Sequence, residues 1–315
     1  MRVVFMGTPD FAVGTLEALT GSRHEVAAVY TQPDKPKGRG GKMQFTPVKE
    51  AAAKAQIPVY QPVKVRDSEV IAQLAQIKPD VIVVVAFGQI IPREILELPA
   101  YGCVNVHASL LPKYRGAAPI QWAVIDGEKT SGVTTMRMDA GLDTGDMLLK
   151  REVALAPDET GGSLFDKLSS VGAELLLETL DKLEKGGITP VPQPEISPTA
   201  YAAMLNKKMG QIDWDMSAVR IERLIRGLTP WPSAYTHLDG KTLKIWKASV
   251  GEEKTGSTGQ TPGTVCGVTK DRIAVQTGEG ILYISELQLE GRKRMTAEAF
   301  LRGFELKEGT LLRKE

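Results

Sequence analysis

Short apolar runs alternate with stretches of helical spacing through the first half of the chain. Val3 to Gly7, Glu25 to Tyr30, Val81 to Ala86 and Cys103 to His107 are brief and rich in valine or other apolar residues. Strands buried on both faces read this way. The segments between them are long enough to hold crossover helices, so the pattern predicts a Rossmann-like α/β fold with a mostly parallel sheet. Ligands in such sheets gather at the carboxyl ends of the strands, where His107 and the loop after it fall. Thr8, Pro9 and Asp10 read as the turn and N-cap of a helix running through Phe11, Leu16 and Leu19.

The texture changes after Gly132. Val133 to Met138 and Met147 to Val153 read as antiparallel neighbours around an Asp-Gly-rich loop, and Leu164 to Leu183 has helical spacing. Gly186 to Pro194 is dense in Gly and Pro, cannot continue that helix, and is expected to be a semi-extended linker. Beyond it the pattern predicts a helix over Ser217 to Leu228. Short strands follow at Thr242 to Ser249, Gly263 to Val268, Arg272 to Thr277 and Ile281 to Leu289, in number and spacing suited to a small barrel. The expected organisation is a first domain over 1–185, a linker over 186–205 and a second domain over 206–315. Trp214, Trp231 and Trp246 are expected in packing rather than as stacking platforms.

Composition sharpens this in a few places. With 315 residues and 42% hydrophobic content, two ordinary globular domains are the expectation. The apolar start is too short for a signal segment before Pro9 and Asp10, and no run approaches the roughly 18 apolar residues of a spanning helix, so the chain is expected in the cytoplasm. Cys103 and Cys266 lie far apart in apolar settings and read as reduced, buried thiols. No Cys or His has a partner at metal-ligand spacing, so no metal is expected. The net charge of +1 hides an asymmetry: from Asn206 onward there are 18 Lys and Arg against 14 Asp and Glu, leaving 21 against 24 for the rest. Gly7 and Gly14 do not form a dinucleotide fingerprint, and no Walker A run is present.

The candidate chemistry is concentrated in Asn105-Val106-His107-Ala108-Ser109-Leu110-Leu111-Pro112. On a strand, the two-residue period sets the carboxamide of Asn105 beside the imidazole of His107. Such a pair suits a developing oxyanion, and the imidazole can also move a proton near neutral pH. A carboxylate to hold the imidazole is expected from Asp143, which Gly141 and Gly145 bracket; a plain solvated turn is the other reading. Ser109 to Pro112 reads either as a packed strand ending or as a pocket edge, with Lys113, Tyr114, Arg115 and Gly116 as its rim. The segment from Asp34 to Lys49 carries Lys35, Lys37, Arg39, Lys42 and Lys49 among glycines, which suits either a solvated flexible loop or one that tracks phosphates.

Asn105, His107, the Ser109-to-Pro112 loop and Asp143 together resemble the signature of the formyltetrahydrofolate-dependent formyltransferases. Gly7-Thr8-Pro9-Asp10-Phe11, Thr31-Gln32-Pro33-Asp34-Lys35-Pro36, Pro112-Lys113-Tyr114-Arg115-Gly116-Ala117-Ala118-Pro119 and the C-terminal third extend the resemblance nearly end to end. It is strongest to the branch that formylates methionine on initiator tRNA. The resemblance implies 10-formyltetrahydrofolate as donor, catalysis by Asn105, His107 and Asp143, and a folate site bordered by Ser109, Leu110, Leu111 and Pro112. It also implies an OB-like second domain and a monomer. Contacts to tRNA are expected from Lys35, Lys37, Arg39 and Lys42, from Lys207 and Lys208 past the linker, and from the series Arg220, Arg223 and Arg226 if that face is not simply solvated. Rival readings are a formyltransferase acting on a small amine, such as an amino sugar nucleotide, and an RNA-binding protein without catalysis.

Overall fold

The computed structural model describes residues 1–37, 42–251 and 260–313. The chain forms two compact units: Met1–Pro119 with Thr130–Ala154 and Phe165–Ala202, and Ile120–Lys129 with Leu155–Leu164 and Ala203–Glu315.

In chain order the first strands and helices are β1 (Arg2–Gly7), α1 (Asp10–Thr20), β2 (Glu25–Tyr30), β3 (Lys35–Lys37), β4 (Lys42–Gln44), α2 (Pro47–Lys54) and β5 (Val59–Tyr60). They are followed by α3 (Ser68–Ile77), β6 (Val81–Val85), α4 (Arg93–Leu96), β7 (Cys103–His107), α5 (Pro119–Asp126), β8 (Thr130–Arg137), β9 (Met147–Ala154) and α6 (Gly161–Glu184). Seven strands form one sheet in the order β5-β2-β1-β6-β7-β8-β9. Pairing is parallel as far as β7 and antiparallel for β8 and β9. The four apolar runs of the first half are β1, β2, β6 and β7, and β6 and β7 are buried along their whole length. Cys103 joins Val4, Met6, Ile82 and Val84 in one core layer, so the face of β7 that carries Asn105 and His107 is continuous with that layer.

Three expectations need correcting here. The basic segment is not a loop through to Lys49: β3 and β4 pair as a hairpin, and Lys49 lies in α2, where Thr46 caps the helix by accepting from the Lys49 N–H. The Lys49 ammonium then pairs with Asp34 at 2.5 Å and stands 4.1 Å from the Phe45 ring centre, so it is engaged within the fold. The residue before α1 is Pro9, with no side-chain cap, because the Thr8 hydroxyl donates instead to the Phe87 carbonyl. Trp231 is 55% exposed rather than packed.

In the second unit α7 (Ala218–Gly227) starts from Ser217, whose side chain accepts from the Arg220 N–H. Its strands are β10 (Ala234–Leu238), β11 (Lys241–Val250), β12 (Val265–Val268), β13 (Ile273–Gln276), β14 (Ile281–Leu289) and β15 (Met295–Thr296), and α8 (Ala297–Leu301) follows. They build one antiparallel sheet, β10-β11-β14-β13-β12, with β15 on β14. Trp214, Ile221, Ile225, Leu243, Ile245 and Ile284 lie in its core, and the Trp214 indole donates to the Thr236 hydroxyl at 3.0 Å. Trp246 is part-buried, between Lys244 and Arg294. Among the described residues no helix is long and apolar enough to cross a membrane, and no group of three or more His, Cys, Asp or Glu is gathered as for a metal ion.

The first unit has an acid-sensitive point at His24, buried beside the N-terminal amine and Arg23, with Asp181 3.5 Å away. Burial, then the two positive charges, hold its imidazole below the ordinary 6.5. The unfolded chain therefore takes up the proton first, and stability is lost as pH falls below about 6.5. Urea unfolding at pH 7.5 and 5.5 is expected to show this loss in the wild type and a smaller one in His24→Asn.

Candidate active site

Strand β7 fixes two side chains by its two-residue period, with Asn105 opposite Met136 and His107 opposite Thr134 on β8. Both are nearly enclosed, at 8% and 6% exposure. The third group arrives on the loop between β8 and β9. That loop leaves β8 beside the start of β7, where the Met138 N–H donates to the Cys103 carbonyl at 2.8 Å. It then returns over the face of the sheet. Asp143 takes a left-handed conformation, φ 57°, which Asp tolerates better than most residues. At Gly145 a side chain would collide with the Arg137 carbonyl, so only glycine permits this return path.

The result is a convergence on one oxygen. Asn105 Nδ2 donates to Asp143 Oδ1 at 3.4 Å, and His107 Nδ1 lies 3.7 Å from the same atom. The other carboxylate oxygen accepts the Gly116 N–H at 2.9 Å. His107 Nε2 faces the Tyr114 carbonyl at 3.0 Å. Nε2 is thus within hydrogen-bond distance of an oxygen, whereas Nδ1 faces the Asp143 carboxylate from just beyond it. The space beside Asn105 Nδ2 and His107 Nδ1 is where an incoming oxygen would meet two donors at once.

The Ser109-to-Pro112 loop is held by its own backbone. The Thr134 hydroxyl donates to the Ser109 carbonyl at 2.7 Å and accepts the Leu111 N–H at 3.0 Å. Lys150 donates to the Leu111 carbonyl, and partial burial lowers its ammonium pKa. Ser109 and Leu111 are buried, whereas Leu110 and Pro112 line a cavity of about 290 Å³ together with Tyr114 and Ser131. That cavity does not reach the trio. A larger cleft of about 600 Å³ is walled by Leu96, Pro99, Gly102, Arg137, Met138 and Ala140, at the start of the loop that carries Asp143. Its wall at Leu96 and Met138 packs on the core layer continuous with Asn105 and His107.

Arg115, expected at a rim, is instead buried at 7% exposure. Its guanidinium donates to Gln193 Oε1 and to the carbonyls of Pro194 and Glu195. The amide of Gln193 reaches the Asp143 loop. Nothing in periodicity singled out Gln193, Arg115 or Thr134; the one available hint is a lone amide among prolines at 190, 192 and 194.

Cys103, two residues from Asn105 on the same face, is driven up to about 12 by burial, so its thiol stays protonated and is no nucleophile. Cys266 is also free, and half-buried. Lys35 is exposed on β3, and Lys207 and Lys208 are exposed on a single turn capped by Asn206. Arg39 lies outside the described residues, as do the side chains of Lys37 and Lys42. Of the arginine series, Arg223 donates to the Asp126 carbonyl and Arg226 to the Glu159 carbonyl, while Arg220 is exposed.

Residues 1–180 match the formyl transferase family, and residues 204–305 match the formyl transferase C-terminal domain. The methionyl-tRNA formyltransferase of Agathobacter rectalis is 59% identical over 310 residues, covering 98% of this chain and 99% of that protein. Its namesake from Geobacter metallireducens is 55% identical over 312 residues, covering 99% and 98%. Among solved structures, an N-formyltransferase from Helicobacter canadensis, in complex with folinic acid and dTDP-3-aminofucose, has a TM-score of 0.67 at 19% identity. It covers 94% of this chain and all of that one. HypX from Aquifex aeolicus with tetrahydrofolic acid gives 0.61 at 19% identity, over all of this chain and 51% of that one.

Thr134 is fully buried and holds both ends of the Ser109-to-Leu111 turn. Thr134→Val strands a buried N–H and a carbonyl, and is expected to cost about 1–3 kcal/mol in urea unfolding, with Thr134→Ser nearer the wild type.

Proposed function

The chain belongs to the formyl transferase family, and we propose that it transfers the formyl group of 10-formyltetrahydrofolate to the α-amino group of methionine esterified to initiator tRNA. The product is N-formylmethionyl-tRNA. The observation that carries the chemistry is the convergence of Asn105 Nδ2 and His107 Nδ1 on a single oxygen of Asp143. Near full-length identity to the methionyl-tRNA formyltransferases supports the acceptor. An amino sugar nucleotide is the weaker reading, because the structure with dTDP-3-aminofucose shares the fold at 19% identity.

The folate supplies an electrophilic formyl carbon and an N10 leaving group. The cleft of about 600 Å³ has the size and mixed polar and apolar lining that a pterin and its linker require, and its walls include Arg137 to Ala140, which lead into the loop that carries Asp143. We propose that the donor's pterin lies in that cleft and that its formyl end runs past the trio toward Ser109, Leu110, Leu111 and Pro112, two of which, Leu110 and Pro112, line the separate smaller cavity. Asn105 and His107 donate to the oxyanion that develops as the amine attacks. Asp143 orients His107, stabilises its imidazolium and takes the amine proton directly or through a water; as the oxyanion collapses, the bond from the formyl carbon to N10 breaks and that proton passes to N10. At 3.7 Å the His107–Asp143 contact has room to tighten when substrate binds.

Residues 1–185 are assigned to catalysis and 206–315 to tRNA binding, with 186–205 as the connecting segment, of which Val191 to Ala202 packs within the first unit. Lys35, Lys37, Arg39, Lys42, Lys207 and Lys208 are assigned to phosphate contacts. Binding energy from the tRNA body, remote from the reacting atoms, then positions the amine. A monomer is proposed as the acting form, since the trio does not require a second chain, and the cytoplasm as its location, where aminoacyl-tRNA is used.

Single-turnover formylation of Met-tRNA tests the site. Asn105→Ala, His107→Ala and Asp143→Ala are each expected to lower the rate on the order of 10²- to 10⁴-fold while sparing tRNA affinity; wild-type rates in all three would end the assignment. Arg39→Ala is expected to raise KM for Met-tRNA more than KM for folate, and equal changes in the two would contradict its role.

A further inference from the structure

The stretch after α6 grips the loops that carry the site. Val191 and Met147 exchange two backbone hydrogen bonds of 2.9 Å just past the Asp143 loop. Gln193 Nε2 donates to the Asp143 carbonyl at 2.9 Å and to the Gly145 carbonyl at 2.7 Å. Its Oε1 accepts from the buried Arg115 at 3.1 Å. Farther along, the Ser197 hydroxyl donates to the Pro112 carbonyl, Thr199 accepts the Tyr114 N–H, and Ala202 exchanges backbone bonds with Arg115 and Ala117. Tyr114 and Gly116 are the residues whose backbone holds His107 and the Asp143 carboxylate.

We propose that Gln193 is a positioning residue for Asp143, locking both sides of the left-handed turn so that the carboxylate stands against Asn105 and His107. One amide does this with all its groups in use. Its two N–H donors bridge carbonyls on either side of Thr144, and its oxygen is anchored by a guanidinium whose other two acceptors, at Pro194 and Glu195, are also neutral. Apart from the bridge, the Asp143 carboxylate is tied by the Gly116 N–H and the long Asn105 bond, while Thr144 bonds back to the Asp139 carboxylate within the loop and the Arg137 N–H holds the Asp146 carbonyl at its base. A displacement of about 1 Å at a reacting group costs on the order of 100-fold in rate. The proposal rests on the reading of Asp143 given above.

The test is Gln193→Glu and Gln193→Met in the full-length protein, each in the wild-type and Asp143→Asn backgrounds, with single-turnover Met-tRNA formylation at saturating 10-formyltetrahydrofolate. Glu keeps the acceptor for Arg115 but sets a carboxylate against two carbonyls; Met keeps the volume and removes both donors. In the wild-type background a 10- to 100-fold loss of rate is expected with both KM values nearly unchanged, read at a temperature well below the melting point of each variant. In the Asp143→Asn background the same substitutions are expected to cost less than about twofold, because the group they position is already gone. Equal fold-losses in the two backgrounds, a change confined to KM, or a wild-type rate in both Gln193 variants would overturn the proposal. Asp143→Asn running at the wild-type rate would instead overturn the reading beneath it.

Discussion

The carboxylate of Asp143 is the constraint on which the site turns. A carboxylate on a Gly-rich loop is ordinarily a solvated group with no fixed neighbour. Here the backbone adopts φ 57°, a region that costs an L-residue roughly 1–2 kcal/mol, and tertiary contacts hold it there. The Gly116 N–H fixes one carboxylate oxygen, leaving the other to face the amide of Asn105 and the imidazole of His107. The three side chains act as a set only because this turn is pinned.

The sheet supplies the other half of the arrangement. Its parallel strands deliver Asn105 and His107 near the carboxyl end of β7, on a rigid, fully buried element. The antiparallel pair β8 and β9 then sends a loop back over the same face. On the proposed reading, two donors on a strand and one acceptor on a pinned, returning loop give a preorganised setting for the charge that develops. Binding of a large acceptor far from this point can then be spent on placing one amine.

Much of this was legible in the chain, for identifiable reasons. β1, β2, β6 and β7 were readable because strands buried on both faces carry unbroken apolar runs, and the Asn105–His107 pair followed from the strand period. β10 and α5 were not: β10 alternates over only Ala234–Leu238, and α5, although Pro119 opens it and Gly127 follows it, is a short run of apolar residues without a clear helical period. The β3–β4 hairpin was hidden because a Lys- and Gly-rich segment reads as solvated until its pairing is seen. Arg115 was misplaced at a rim since a cation is normally solvated; its neutral partners lie about eighty residues downstream, beyond any local pattern. Gln193 has no periodic signature at all.

The segment from Val191 to Ala202 also bears on how this chain could be recombined with others. An ordinary tether accepts extra length cheaply, since each doubling of a flexible loop costs only about 0.6 kcal/mol. This stretch is held at Val191, Gln193, Ser197, Thr199 and Ala202, so an insertion there would shift every later anchor out of step. In a hybrid enzyme a graft cut at residue 186, at the end of the long helix, would therefore carry Asn105, His107 and Asp143 without these anchors, whereas a cut after Ala202 would keep them.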